Sequence, residues 1–589
     1  MHNSQNKPLI VQSDKTILLD VHASGAEKCR NELIPFAELE RSPEHLHTYR
    51  ITALSLWNAA SAGFSASHAI SVLHKYSRFT VPESICMWIE EIAMRFGKLC
   101  LVPGFTDEMG IEHLYLITEF ALVFKEIDAT RSMKKYLQKI SNTLVLDGKE
   151  NLYAFSLLLT DRGTVKQALL SLGWPVKDEV PLKDGDPLDV SLKKTTSTEK
   201  PLQIRDYQKE AAESLVGDLG PGTGFGTIVL PCGAGKTIVG MIIMDMLKTN
   251  TLILTTNISA VHQWIDELID KTNLTAEQIG EYTGERKKIK PVTVATYQVL
   301  TWRPSKKEPY PHFQLFRERA WGLIIYDEVH LLPAPVFRVT AELQAVRRVG
   351  LTATLVREDG CEGYVFSLVG PKRYDVPWKE LESTGWIAEA ECIEVRLDLD
   401  EAVEIEYAIS NSRKKHRIAS ENPAKMKIVK QLVERYKEDQ ILIIGQYLDQ
   451  LYKIAKELEL PVISGKTPSA KRDEIFAAFR TGELRVLVVS KVANFAIDLP
   501  DASMAIQVSG TFGSRQEEAQ RLGRILRPKD RLARFITLIT RGTLEEDFGA
   551  NRQKFLAEQG YTYRLVRSVE EIPDYLEDCY NSKKKGDAE

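Results

Sequence analysis

Leu230-Pro231-Cys232-Gly233-Ala234-Gly235-Lys236-Thr237 decides how this chain is read. It follows a short β-branched and apolar run at 227–230 and precedes an apolar stretch of helical length at 237–247. A Gly-rich turn between strand and helix aims backbone N–H groups at phosphate oxygens, and the helix N-terminus adds its positive end. Gly233, Ala234 and Gly235 form such a cradle. Lys236 would reach the β/γ-phosphates of ATP, and the Thr237 hydroxyl would hold Mg²⁺. Leu230 stands where the full pattern has Gly, so the reading leans on a second motif.

That motif is Leu323-Ile324-Ile325-Tyr326-Asp327-Glu328-Val329-His330. A buried-type strand ends in two adjacent carboxylates. Asp327 would hold the Mg²⁺ shell, and Glu328 would orient and deprotonate the attacking water. A phosphate loop followed by such a pair, in one domain-sized stretch, points to a nucleotide hydrolase.

At 589 residues the chain exceeds one core and is expected to form three to four domains. The net charge of −4 does not suggest nucleic acid, so basic residues would have to be concentrated locally. Three candidates are Arg347-Arg348, Arg413-Lys414-Lys415-His416-Arg417 and the region 521–534; each also reads as a solvated face. Residues 1–7 lack the apolar core of a signal peptide. No apolar run approaches the roughly 18 residues of a membrane span. The seven cysteines (Cys29, Cys86, Cys100, Cys232, Cys361, Cys392, Cys579) include no Cys-x-x-Cys pair. That argues against a zinc ribbon and fits reduced thiols, so a cytoplasmic location is expected.

Residues 8–130 read as a mostly helical module with a strand or two at its start. Ser42-Pro43 looks like an N-cap followed by Pro at N1, and helical patterns cover 51–62, 65–76 and 82–96. Residues 182–200 are polar and read as a linker. Strands and helices alternate over 201–375 and again over 422–565, which implies parallel sheets. The second stretch has strands at 441–445, 486–490 and 505–508. The two halves suggest tandem, similar folds. The expected divisions are an accessory domain 1–130, a helical segment and polar linker 131–200, a first nucleotide-binding domain 201–375, a connector 376–421, a second α/β domain 422–566 and a tail 567–589.

The second half also contains Gln520-Arg521-Leu522-Gly523-Arg524-Ile525-Leu526-Arg527. On a helix, Gln520, Arg524 and Arg527 share one face at i, i+4 and i+7. Two fork-shaped cations there could act as arginine fingers on a transferring phosphoryl group.

The order of phosphate loop, Asp-Glu-Val-His, Thr352-Ala353-Thr354 and Gln-x-x-Gly-Arg-x-x-Arg resembles superfamily 2 helicases. More narrowly, the chain resembles the XPB (xeroderma pigmentosum group B) family of DNA repair helicases in its bacterial form. The likeness rests also on Leu351 to Asp359, Arg552 to Tyr561, Ser42-Pro43-Glu44-His45 and Ser55 to Ala60. It implies two RecA-like parallel-sheet motor domains, ATP and Mg²⁺ as cofactors, and 3′–5′ DNA unwinding. It assigns Arg205 and Gln208 to the adenine-reading segment, with Gln208 reading the base. Thr256 and Thr296, in Thr255-Thr256-Asn257 and Ala295-Thr296-Tyr297-Gln298, would line the DNA backbone, as short hydroxyls at strand ends suit phosphate. Trp264 reads as core. Ser490 opens the segment that couples DNA to nucleotide, and Arg357-Glu358-Asp359 matches a triplet associated with duplex opening. The family's thumb-like element is shortened here to about 407–422. DNA is the implied partner, with a separate nuclease or repair subunit possible and no membrane. The competing reading is a duplex translocase, or a restriction-type motor subunit that does not separate strands.

Overall fold

The computed structural model describes residues 7–33, 35–41, 46–141, 143–146, 149–197, 199–219, 223–231, 233–305, 308, 310–332, 346–354, 362–376, 378–490, 502–510, 518, 521–523, 525 and 532–574. They group into two compact units, Met1–Leu230 with Gly235–Asp375, and Val376–Glu589 with Pro231–Ala234.

The amino-terminal part of the first unit is mixed rather than mostly helical. Strands β1 (Leu9–Val11), β2 (Thr16–Asp20), β3 (Glu38–Arg41) and β4 (Leu46–Arg50) form an antiparallel sheet in the order β1-β2-β4-β3. The three helical patterns do fold as helices, at Ala53–Ser61, Ala66–Tyr76 and Glu83–Ala93. The first two are capped by hydroxyls, Thr52 accepting from the Ser55 N–H and Ser65 from the His68 N–H. The helix start expected at Ser42-Pro43 lies outside the described residues.

A second sheet takes β5 (Leu99–Thr106), β6 (Glu112–Thr118), β7 (Gln138–Lys139), β8 (Leu144–Leu146), β9 (Lys149–Leu158) and β10 (Val176–Asp178). Its order is β10-β5-β6-β9-β7, with β8 paired to β9. Because β6 pairs with β9, the boundary expected near 130 cuts through one sheet, and 131–200 holds β7 to β10 beside the helix Arg162–Ser171. The missed signal is the alternation in Glu112–Thr118, where Leu114, Leu116 and Thr118 are buried and the residues between them are not. That is a period of two, the mark of a half-buried strand.

The polar stretch 182–200 is not a free linker either. Its backbone bonds along the next domain: Asp186 N–H to the Ala320 carbonyl, Leu188 N–H to Lys248 and Lys193 N–H to Lys271. Val190 is wholly buried. A Cβ on Gly185 would lie 2.1 Å from the Gly322 nitrogen, so the strap passes where only glycine fits.

The first parallel sheet contains β11 (Phe225–Val229), β12 (Thr251–Thr255), β13 (Ile279–Tyr282), β14 (Val292–Thr296), β15 (Leu323–Asp327), β16 (Arg347–Thr352) and β17 (Lys372–Asp375). Its order is β13-β14-β12-β15-β16-β11-β17. The second has β18 (Ala390–Leu397), β19 (Ile441–Gly445), β20 (Val462–Ile463), β21 (Val486–Ser490), β22 (Met504–Gln507), β23 (Ala533–Thr540) and β24 (Tyr563–Val566) in the order β20-β21-β19-β22-β23-β18-β24. Every pairing in both is parallel. Numbered from its own first strand, each sheet reads third, fourth, second, fifth, sixth, first, seventh. The two α/β halves are therefore one topology used twice, as the sequence suggested. Central strands such as β11, β12 and β19 are buried at every position, which a parallel sheet covered on both faces requires.

Where they are described, residues of two of the three basic runs are taken up by packing. Arg348 is wholly buried, donates to the Leu368 and Val346 carbonyls, and lies over the Phe225 ring. Arg521 and Arg534 are buried beside Gln507 and Tyr436. The third run sits on a helical hairpin, Glu401–Ile409 and Ser412–Ser420, where the short thumb-like segment was expected. There Lys414 pairs with Glu406, Arg417 with Glu421 and Asp449, and His416 is buried. Among the described residues no helix is long and apolar enough to cross a membrane.

Candidate nucleotide site

Parallel pairing puts the carboxyl ends of all strands in the first α/β sheet on one edge, the edge at which such sheets bind ligands. The phosphate loop leaves β11 there, Thr256 follows β12, Thr296 ends β14, Asp327 ends β15, and Thr352 ends β16. Register fixes their relation: Val229 lies opposite Thr352, Asp327 opposite Leu351, and Thr255 opposite Thr296.

Gly233 and Gly235 have φ of 83° and 78°, which a Cβ disfavours. At Gly235 space is a second constraint, because a Cβ would meet the Gln208 side-chain nitrogen at 2.5 Å. Gln208 is buried, and its Oε1 accepts the Arg205 N–H at 3.0 Å. The expected adenine-reading amide thus touches the start of the phosphate-loop helix, Lys236–Leu247.

Lys236 Nζ lies 3.4 Å from Glu328 Oε1. Glu328 adopts φ 47°, ψ 53°, a left-handed conformation uncommon outside glycine. Its own N–H donates to Asp327 Oδ1 at 3.0 Å, and the indole N–H of Trp264 donates to Asp327 Oδ2 at 2.9 Å. Burial first, and the neighbouring Glu328 second, push the Asp327 carboxyl above the usual carboxylate range. The Tyr297 hydroxyl donates to the Asp327 carbonyl at 2.9 Å. Behind Glu328, His330 Nδ1 meets the Thr352 hydroxyl at 2.7 Å. That hydroxyl donates to the Thr354 carbonyl, so the imidazole must be the donor and carries its proton on Nδ1.

Of the residues expected from sequence, Lys236, Asp327 and Glu328 come together, with Gln208 beside Gly235. Thr256 and Thr296 sit on the same edge, but the Thr296 hydroxyl caps the helix Tyr297–Thr301 and is buried. Ser490 ends β21 and is buried as well. Gln520, Arg524, Arg527, Arg357, Glu358 and Asp359 lie outside the described residues. Sequence reading missed the partners of the acid pair. Trp264 was correctly read as core, since a Cβ on Gly240 would lie 2.7 Å from its ring, yet its N–H is spent on Asp327. Only the presence of Trp264, Tyr297 and Thr352 within quoted motifs could have flagged them.

A phosphate loop after the first strand and an acid pair after the fifth, in one of two lobes of identical strand order, define a phosphate-loop nucleotide hydrolase with tandem α/β lobes. Comparison with known proteins narrows the class. The family described as "ERCC3/RAD25/XPB C-terminal helicase" matches residues 381–588, "Helicase conserved C-terminal domain" matches 9–141, and "Type III restriction enzyme, res subunit" matches 201–357. A protein of Kineococcus radiotolerans named "DNA 3'-5' helicase XPB" is 50% identical over 95% of this chain and 96% of its own length. One of Mycobacterium tuberculosis with the same name is 49% identical over 96% and 98%. In Antonospora locustae, a "General transcription and DNA repair factor IIH helicase/translocase subunit XPB" is 32% identical over 96% and 82%. The chain belongs to the XPB family of helicases.

Proposed function

We propose that this chain is an ATP-dependent DNA helicase of repair type that moves 3′ to 5′. The observation that carries this reading is the cluster of Lys236, Asp327 and Glu328 at the carboxyl edge of a parallel sheet, in a chain of this family. Lys236 would bind the β/γ-phosphates, and Glu328 would take the proton of the attacking water. Gln208 and Arg205 would read adenine. Gln520, Arg524 and Arg527 would stabilise charge on the transferring phosphoryl group, as the resemblance implies. Thr256, Thr296 and Ser490 would lie along the DNA path, Thr296 and Ser490 offering backbone more than side chain because both are buried. Arg357, Glu358 and Asp359 would help to open the duplex. With scattered cysteines and no Cys-x-x-Cys pair, it would work in the cytoplasm, with any nuclease supplied by a separate subunit.

Mg²⁺ suits the residues present. Thr237 offers a hydroxyl and Asp327 a carboxylate, hard oxygen ligands of the kind this ion takes with nucleotide phosphates. A half-buried carboxyl whose charged form is disfavoured is also a place where a cation is welcome. Mg²⁺ would neutralise phosphate charge when bound with ATP. The chain's part is to hold Asp327 still, through Trp264 Nε1 and the Glu328 N–H. Trp264→Phe keeps the ring and removes only the donor. It should raise the Mg²⁺ needed for tight binding of a fluorescent ATP analogue by about 10- to 100-fold. Unchanged Mg²⁺ dependence would remove Trp264 from that role.

The restriction-type match over 201–357 favours one competing reading, a motor that pumps duplex DNA without parting it. Hydrolysis and strand displacement should be followed together on 3′-tailed, 5′-tailed and blunt duplexes. The helicase reading expects DNA-stimulated hydrolysis with displacement of the 3′-tailed substrate. Stimulation by blunt duplex with no displacement on any substrate selects the pump.

A further inference from the structure

A basic stretch of the first lobe carries cations that the nucleotide site does not use. Residues 282–312 hold seven lysines and arginines against two glutamates, in a chain of net charge −4. The loop between β13 and β14 carries Arg286, Lys287, Lys288 and Lys290, and 302–308 adds Arg303, Lys306 and Lys307.

The first of these loops is pinned to the edge strand. Thr283 N–H donates to the Arg286 carbonyl, Lys288 N–H to the Glu281 carbonyl, and Lys290 N–H to the Thr293 hydroxyl. Among the described residues, no carboxylate lies within ion-pairing distance of Lys288, Lys290 or Arg303. Lys288 is exposed and Lys290 and Arg303 are half-buried.

Beside this loop stands an aromatic group. Trp302 is 54% exposed, a large fraction for a tryptophan, and its ring lies 5.8 Å from His312. The Tyr282 hydroxyl bonds to His312 Nδ1 at 2.8 Å, with the two rings nearly perpendicular. Lys287 lies over the Tyr282 ring, and Arg303 over the Tyr310 ring. Burial first, and Lys287 second, hold the His312 pKa below its ordinary value, so the support under Trp302 is uncharged near neutrality.

Tyr282 ends β13, and the helix that delivers Trp302 begins at the end of β14. Both are carboxyl ends of the two outermost strands on one side, on the edge that also carries Thr256 and Thr296. The loop folds back along β13, with Lys288 opposite Glu281 and Lys290 beside Gly280, so its cations run from that edge toward the start of β14. An open aromatic face for a base, beside a strip of cations for phosphates, is the chemistry that grips single-stranded nucleic acid without reading its sequence.

We infer that Trp302, with Lys288, Lys290 and Arg303, forms an accessory grip for single-stranded DNA at the outer rim of the first lobe. This rests on the DNA-helicase reading above. Lysines that lie along an edge strand also discourage edge-to-edge pairing, but that role needs neither the exposed tryptophan nor Arg303.

The test uses the full chain without nucleotide. Binding of labelled oligo(dT) and of blunt duplex is measured across a salt series, for wild type, Trp302→Ala, Trp302→Phe and the double change Lys288→Ala with Lys290→Ala. Trp302→Ala should weaken oligo(dT) binding on the order of tenfold, with Trp302→Phe keeping most of it. The double variant should lower the slope of log affinity against log salt by about 1.4, at ~0.7 per single-strand phosphate. ATP hydrolysis without DNA should be unchanged in all variants. Wild-type oligo(dT) affinity in Trp302→Ala together with an unchanged salt slope overturns the grip. Equal losses on blunt duplex overturn the stacking role. Aggregation of the double variant with oligo(dT) binding intact in Trp302→Ala assigns the lysines to edge protection and likewise overturns it. A wild-type chain whose hydrolysis ignores DNA defeats the helicase reading instead, so the two failures are distinct.

Discussion

Lys236→Ala and Glu328→Gln should both abolish ATP hydrolysis, and only the first should lose ATP. The lysine is a charge on the phosphates, so its removal takes away binding energy that both ground and transition states share. Glu328 acts on water. Replacing it by glutamine keeps the shape and removes the base, a loss of about 10²- to 10⁴-fold in turnover. The geometry adds a second expectation. Lys236 Nζ sits 3.4 Å from Glu328 Oε1, so the lysine that must greet the phosphates is already engaged by a carboxylate. Glutamine releases it, and ATP should bind Glu328→Gln at least as tightly as wild type. The left-handed backbone at Glu328 serves the same end, since a strained conformation at a strand end fixes the direction of the carboxylate. Fluorescent-nucleotide titration and phosphate release separate the two effects. Equal loss of ATP affinity in both variants would falsify the division of labour.

The lobes were legible because parallel strands covered on both faces are short apolar runs bounded by turns. Val486–Ser490 and Ile441–Gly445 fall where those runs do, and the acid pair sits where its strand ends. The amino-terminal sheets were legible only strand by strand: Glu112–Thr118 shows itself by alternation, but its partner β9 lies some forty residues on, and sequence records no pairing at that distance. Polarity misled the reading at 182–200. A segment can be polar in side chains and still be fixed by its backbone, as the bonds from Asp186, Leu188 and Lys193 show. Charge misled it in the same way. Arg347-Arg348 looked like a surface for an anion, but Arg348 is spent on carbonyls and an aromatic ring. The basic loop that remains exposed, at 286–290, had drawn no notice. Trp264 shows the limit of motif reading: its place in the core was legible, but its donation to Asp327 depends on a neighbour 63 residues away.

Asp178→Asn should be the most destabilising single change in the first unit, because one carboxylate there serves three buried cations. Arg162 grips Asp178 through two bonds, Nε to Oδ2 at 3.0 Å and Nη2 to Oδ1 at 2.7 Å, and Lys166 Nζ reaches Oδ2 at 2.8 Å. Arg348, from β16, adds its charge to the same interior, over a Phe225 ring that Lys166 also faces. Asparagine keeps the size and removes the only negative charge of the group. Breaking a buried pair on one side costs about 3–5 kcal/mol, and here more than one cation is stranded. The cluster ties the helix Arg162–Ser171 and β10 to strands of the first α/β sheet. Loss of protection against proteolysis should therefore appear first around 162–180, with a lower melting transition. Lys166 supplies an internal control. Burial, above all, holds its pKa down to about 8 from an ordinary 10.5, despite the attraction of Asp178. Between those values the unfolded chain binds the extra proton, so stability should rise with pH across that window. The rise is about 3 kcal/mol for a shift of that size. Lys166→Met should erase this rise and leave Arg162 with Asp178 intact, making the variant as stable as wild type or more so near pH 7. If Asp178→Asn melts with wild type, or if the pH dependence survives in Lys166→Met, the cluster does not bear on stability as its geometry indicates.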